Sequence, residues 1–356
     1  MEDILSLAKQ LIEIQSTPDN SKGLQKVLEI AENELREYTI ERFKKNGIES
    51  ILVYNTQNRP NKFRLILNGH LDVVPGKKEQ YITEIKDKRL SGRGAYDMKA
   101  ATATLIVLFK ELAKKVSYPL GLQLVLDEEV GGYDGTKYQI AQGVRADFVL
   151  IAEGSNMKII NESRGILWAK VKTKGKTAHG GRPWLGENAI WRINKILNKI
   201  HDEFPLPVEE MWTTTINVAS IDSSNKTLNK VADDCILLLD IRYIPEDEKK
   251  VKVFLENLND NQTEIETLID DPGQFTDKGN SDILKLQKSV QNILGKFADI
   301  SVFYGSYDGR HYAALAIPTI AFGPSGEGFH SDNEWVDIKS LEDYSNILKD
   351  FILNLK

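Results

Sequence analysis

Arg64-Leu65-Ile66-Leu67-Asn68-Gly69-His70-Leu71-Asp72 is a short apolar run that stops on a glycine and a histidine. Its length and its bounding glycine predict a buried strand with His70 just past its end. In an extended chain the spacing of His70 and Asp72 turns both side chains one way, so the carboxylate can hold the imidazole ring. The arrangement recurs. Leu122-Gln123-Leu124-Val125-Leu126 runs into Asp127-Glu128-Glu129, and Phe148-Val149-Leu150-Ile151-Ala152 runs into Glu153. Pro318 to Phe322 leads through Gly323-Pro324-Ser325-Gly326 toward His330.

Helical stretches such as 100–114 and 135–142 separate these runs, and an amphipathic helix with Ile4, Leu5, Ala8, Leu11 and Ile12 opens the chain before Pro18. Strands alternating with helices predict an α/β fold whose mainly parallel, mixed sheet is sandwiched by helices. In such a sheet the carboxyl ends of the strands form the ligand crevice, so the histidines and carboxylates are expected to converge there.

Between about 166 and 277 the rhythm changes to long strands, around 213–218 and 236–243, and two helices, 187–201 and 245–258. This section is expected to be a smaller inserted α+β domain, leaving 1–165 and 278–356 as one discontinuous domain. Its polar exit, Asp271-Pro272-Gly273-Gln274 through Gly279-Asn280-Ser281, reads as a hinge.

Composition narrows the function. With 356 residues, 41% of them hydrophobic and 28% charged, the chain has enough apolar material for real cores, which argues against disorder or a coiled coil. A net charge of -6 without a long block of one sign makes nucleic acid a poor partner. The single cysteine, Cys235, excludes an intrachain disulfide and thiolate clusters, and its apolar neighbours predict a buried strand position. The acidic Met1-Glu2-Asp3 start is unlike a signal peptide, and no apolar stretch approaches the roughly 20 residues that span a bilayer. A soluble, cytoplasmic protein with no membrane partner is expected.

Of the five histidines, His70, His179 and His330 lie in glycine- or turn-rich contexts and are the candidates for chemistry. Asp97 adds a carboxylate in Gly92-Arg93-Gly94-Ala95-Tyr96-Asp97-Met98-Lys99, where two glycines permit close backbone approach. Carboxylates packed together repel one another unless a cation neutralises them, and two histidines with three or more carboxylates suit zinc or a similar divalent ion. Neighbours in an extended segment point to opposite sides, so one of Glu128 and Glu129 can bind metal while the other handles protons. The spacing leaves open which does which. His201 reads as a boundary or surface residue, His311 is undecided, and the scattered tryptophans suggest core and lid packing.

The chain resembles the zinc-dependent peptidases and amidohydrolases that include succinyl-diaminopimelate desuccinylase, acetylornithine deacetylase, aminoacylase and related carboxypeptidases. The matching pieces are Gly69 to Pro75, Gly92 to Lys99, Asp127 to Gly132, Ala152-Glu153, Gly175 to His179 with Pro183 and Gly186 to Ala189, and Phe329 to Glu334, in family order. Gly154 stands where many relatives have proline, and Ser306-Tyr307-Asp308-Gly309-Arg310 matches the desuccinylase version only in part.

The resemblance implies two divalent ions per chain, zinc with cobalt or manganese as alternatives, bridged by Asp97. His70 and Glu153 would hold one ion, and Glu129 and His330 the other. Glu128 would be the general base for a metal-bridging water, and Asp72 would orient His70. The insert would be the lid or dimerisation domain, through which a homodimer forms and His179 reaches the partner subunit's active site. Arg164, Asn229, Arg242, Gly305 and Ser306 would contact substrate, the arginines being suited to bidentate capture of a carboxylate. The expected reaction is hydrolysis of the amide bond of an N-acyl amino acid. The alternatives are a dipeptidase or carboxypeptidase on a short peptide, and a non-catalytic, metal-stabilised binding protein.

Overall fold

A computed structural model describes residues 1–355. Two compact units are present. The first comprises Met1–Glu162, Phe275–Val302 and Tyr307–Lys356, and the second Ser163–Gln274 with Phe303–Ser306.

At the centre of the first unit, four strands lie side by side in the order Leu120–Val125, Leu65–His70, Val149–Ile151, Thr319–Ala321, and all three pairings are parallel. Every residue of Leu65–His70 and Leu120–Val125 is buried, as continuous apolar runs require when a parallel sheet is covered on both faces. These are the four runs expected from the sequence, and their common direction brings their carboxyl ends to one edge of the sheet.

The flanks are antiparallel. On one side Thr39–Lys45 and Ile48–Tyr54 form a hairpin whose turn, Asn46-Gly47, has positive φ at both residues, as a tight two-residue connection demands. Ile48–Tyr54 then pairs with Leu120–Val125, and Ile159–Ser163 flanks Thr319–Ala321 on the other side.

Helices flank this sheet. The opening helix, Glu2–Ile12, buries Ile4, Leu7, Ala8, Leu11 and Ile12 and packs on helix Lys99–Leu112. Helices Ser281–Leu294 and Ile338–Asn354 pack together and share the same core. Asn280 caps Ser281–Leu294 by accepting from the amides of Asp282 and Ile283. A small sheet, in the order Gly326–Glu327, Trp335–Asp337, Arg89–Ser91, Glu84–Lys86, fixes the loops around 92–97 and 328–334.

The second unit has its own core around an antiparallel sheet in the order Thr215–Asp222, Asp234–Tyr243, Gly165–Lys174, Thr263–Asp271, with helices Ala189–Glu203 and Glu248–Glu256. Burial alternates residue by residue along Asp234–Tyr243, the signature of a sheet with one covered face. Cys235 is buried there. Of the five tryptophans, Trp168, Trp184 and Trp191 are exposed, Trp184 by 75%, so these three pack no core. Among the described residues no helix is long and apolar enough to cross a membrane.

Candidate metal centre

His70 is the last residue of its strand and is fully enclosed. Its ring Nε2 lies 3.1 Å from Asp97 Oδ1 and 3.6 Å from Glu153 Oε1. On the other side of Asp97, Oδ2 lies 3.1 Å from His330 Nε2, which is equally close to Glu129 Oε2. The expected ligands His70, Asp97, Glu129, Glu153 and His330 are thus drawn together from five separate segments. Two donor groups stand out, His70 with Glu128 and Glu153, and His70 with Asp97 and Glu129; within each, one ligand atom per residue lies within 4.8 Å of the others.

Asp72 supports His70 differently from the sequence expectation. The chain leaves strand geometry after His70, so the nearest partner of His70 Nδ1 is the Asp72 carbonyl at 3.0 Å, with the carboxylate Oδ1 at 3.5 Å. The other carboxylate oxygen accepts the Glu129 N–H at 3.0 Å, so Asp72 links the two acidic segments. Either contact to Nδ1 leaves Nε2 facing the carboxylates.

Glu128 and Glu129 also depart from expectation, because they lie on a 3₁₀ turn, Glu128–Val130, rather than in an extended segment. The turn forms because Asp127 Oδ2 accepts the amides of Asp134 and Gly135, while Gly131 closes it at φ 111°. Arg310 Nη2 and His311 Nε2 lie 2.6 and 2.9 Å from the Gly131 carbonyl and hold it from the far side. His311 is therefore a buried structural partner of this turn, whereas the His201 side chain is 77% exposed. At Gly154 a Cβ would fall 2.5 Å from the Tyr96 ring, which explains a glycine directly after Glu153.

The electrostatics of the cluster favour a cation. Burial and neighbouring carboxylates push Glu128 and Glu153 well above the ordinary carboxyl range, and Glu129 upward as well. For Asp97 the upward push of burial is outweighed by His330 and His70, which hold it low. Asp97 and Glu129 raise His330 to about 10, and for His70 the lowering by burial is overcome by Asp72 and Asp97, which raise it well above its ordinary value. Crowded carboxylates with two imidazoles form a hard and borderline donor set that fits divalent ions such as zinc, cobalt or manganese.

The other predicted residues all belong to the second unit. The Arg164 guanidinium lies 4.8 Å from the Tyr304 ring centre and 5.6 Å from that of Trp212, and donates to the Met211 carbonyl at 3.0 Å. Burial, and the nearby charge of Arg242, lower its pKa. Arg242 itself donates to Asp240 at 2.8 Å. Ser306 Oγ is buried without a hydrogen-bond partner among the described residues, and Gly305 adjoins Tyr304. His179 is exposed, its Nδ1 accepting the Gly181 N–H at 3.0 Å, and a β-bridge sets it against Lys230 beside exposed Asn229. Sequence reasoning passed over Arg93 and Glu334, both buried beside Asp97; the only local hint is that both stand inside motifs that match the resembled family.

Residues 66–354 match the model of peptidase family M20/M25/M40. Among curated relatives, the N-formyl-4-amino-5-aminomethyl-2-methylpyrimidine deformylase of Bacillus subtilis is 26% identical, over 99% of this chain and 94% of its own. A succinyl-diaminopimelate desuccinylase of Hydrogenovibrio crunogenus is 24% identical, over 100% and 99%. Among solved structures, an aminopeptidase from Bacillus cereus superposes with a TM-score of 0.79 at 18% identity, covering 99% of this chain and 98% of that one. A dinuclear metal binding peptidase of family M20 from Bacillus subtilis gives 0.71 at 11%, covering 98% and 96%. With the family model spanning most of the chain, and the fold shared with these structures, the chain belongs to peptidase family M20/M25/M40 and is a hydrolase acting on amide or peptide bonds.

Proposed function

We propose that this chain hydrolyses the amide bond of an N-acyl amino acid, using two divalent ions held by His70, Asp97, Glu129, Glu153 and His330, with Glu128 as general base. The observation that carries the reading is the place of Glu128, which shares a donor group with His70 and Glu153 and has its pKa raised by burial. A carboxylate shifted toward neutrality can take a proton from the attacking water and return it to the leaving amine. Bound divalent ions would polarise the scissile carbonyl and make water more acidic. Asp72 keeps the His70 ring oriented. Zinc is the proposed metal, with cobalt or manganese able to replace it.

Relatives named deformylase and desuccinylase, matched end to end, support deacylation as the chemistry. The neighbouring guanidinium groups of Arg164 and Arg242 suit a substrate carboxylate, with Asn229, Gly305 and Ser306 as further contacts. Exposed Trp184, Trp191 and Leu228 in the second unit support a homodimer formed through it, in which His179 serves the partner subunit's site. Cytoplasmic location is part of the same proposal.

A panel of N-formyl, N-acetyl and N-succinyl amino acids and dipeptides, assayed for amine release by zinc-loaded protein, tests the reading. Turnover of one acyl series is expected. Hydrolysis confined to dipeptides would replace deacylase with dipeptidase, and metal-loaded protein that binds but turns over none would leave a binding protein.

A further inference from the structure

The Glu334 carboxylate is 2% exposed and accepts four hydrogen bonds, none from its own neighbours in sequence. Oε2 receives Arg93 Nη1 at 2.8 Å and the Gly94 N–H at 3.0 Å. Oε1 receives the N–H groups of Tyr96 at 2.9 Å and Asp97 at 3.0 Å. The chain around 92–97 forms neither strand nor helix, with Gly92 at φ 151° and Gly94 at φ 87°, so these amides have no ladder to pair with. One buried carboxylate satisfies them together.

Where those amides sit gives the contact its meaning. Asp97 is the side chain placed between His70 and His330, and its own amide is anchored by Glu334. Glu334 in turn follows His330 on a short loop and leads into Trp335–Asp337, which pairs with Arg89–Ser91 in the register Trp335↔Ser91. Its carbonyl accepts the Gly92 N–H at 3.2 Å and extends that pairing toward the site. Backbone and side chain of one residue therefore brace the segment that carries Asp97 against the segment that carries His330.

We propose that Glu334 is a positioning residue of the metal centre, setting the Asp97 carboxylate and the His330 imidazole in register for a shared ion. The inference rests on the metal-dependent reading above. Both carboxylate oxygens are needed, because an amide in this place would turn an NH₂ toward two of the four donors. Arg93, equally buried, sets its guanidinium 2.8 Å from the carboxylate as its side-chain partner.

The test compares metal-free wild type with Glu334→Gln by Zn²⁺ competition against a chromophoric chelator, and by thermal melting without metal. Zn²⁺ affinity is expected to fall 10- to 100-fold, the loss typical when the partner of a metal ligand is removed. Asp282→Asn, altered in an ion pair with Arg64 outside the centre, should melt earlier with unchanged Zn²⁺ affinity. Glu334→Gln behaving like Asp282→Asn would overturn the proposal. If Glu334→Gln does not fold, Arg93→Gln removes the guanidinium and leaves the amides, and a loss of about 10-fold is expected there; unchanged affinity overturns it. Wild type that takes up no Zn²⁺ would instead remove the metal-dependent reading, and this inference with it.

Discussion

His330 Nε2 lies 3.1 Å from Asp97 Oδ2, which joins a loop beyond the last central strand to the loop that opens helix Lys99–Leu112. Through this contact and the one from His70 to the other Asp97 oxygen, a single carboxylate ties two imidazoles together.

That geometry predicts metal dependence with a structural signature. Chelation should abolish amide hydrolysis and Zn²⁺ or Co²⁺ should restore it. Because the ions bind only the folded arrangement, zinc at 100 times its dissociation constant should stabilise the protein by about 2.7 kcal/mol for each ion bound, read as a rise in melting temperature. Activity and melting that both ignore the chelator would contradict the assignment.

Glu128→Gln removes the base while leaving the five proposed ligands in place. Turnover should fall by about 10²- to 10⁴-fold with zinc content per chain unchanged, measured on the same preparation. Loss of zinc in parallel with activity would make Glu128 a ligand instead.

His311→Ala removes one of two side chains held against the Gly131 carbonyl behind the Glu128–Val130 turn. A cost of about 1–3 kcal/mol in urea denaturation is expected, together with reduced turnover, since the turn carries both acidic residues. Full activity at lowered stability would show that Arg310 alone keeps the turn in place.

Gly154→Ala sets a methyl group against the Tyr96 ring, which itself packs on Phe329 with ring centres 4.5 Å apart, next to His330. Overpacking there should cost about 1–3 kcal/mol. Adding Tyr96→Leu should recover part of that loss, and a double variant no better than the single one would locate the strain elsewhere.

The Arg64–Asp282 pair predicts a pH dependence far from the centre. Burial would raise the Asp282 carboxyl, but the Arg64 and Lys285 side chains hold it below the usual carboxylate range. A carboxyl with a depressed folded pKa contributes its full stability above the unfolded value and loses it as pH falls through the folded one. Asp282→Asn should therefore cost about 1.5–3 kcal/mol at pH 7, and the two denaturation curves should converge below about pH 4. A constant gap from pH 7 to pH 3 would count against the charge as the cause.

Much of this was legible in the chain itself. The four apolar runs carry their own period and length, and each is followed by an acid or a histidine, so both the parallel strands and the chemical character of their ends could be read locally. The Glu128–Glu129 geometry could not, because the turn is imposed by Asp127, Arg310 and His311 rather than by any preference of the two glutamates.

The sequence alone determined which strands form and which donors stand at their ends, because hydrophobic periodicity is a property of neighbouring residues. Only the tertiary structure decided which oxygen meets which nitrogen, and that Glu334 braces Asp97, because those hydrogen bonds join segments far apart along the chain and leave no local pattern to read.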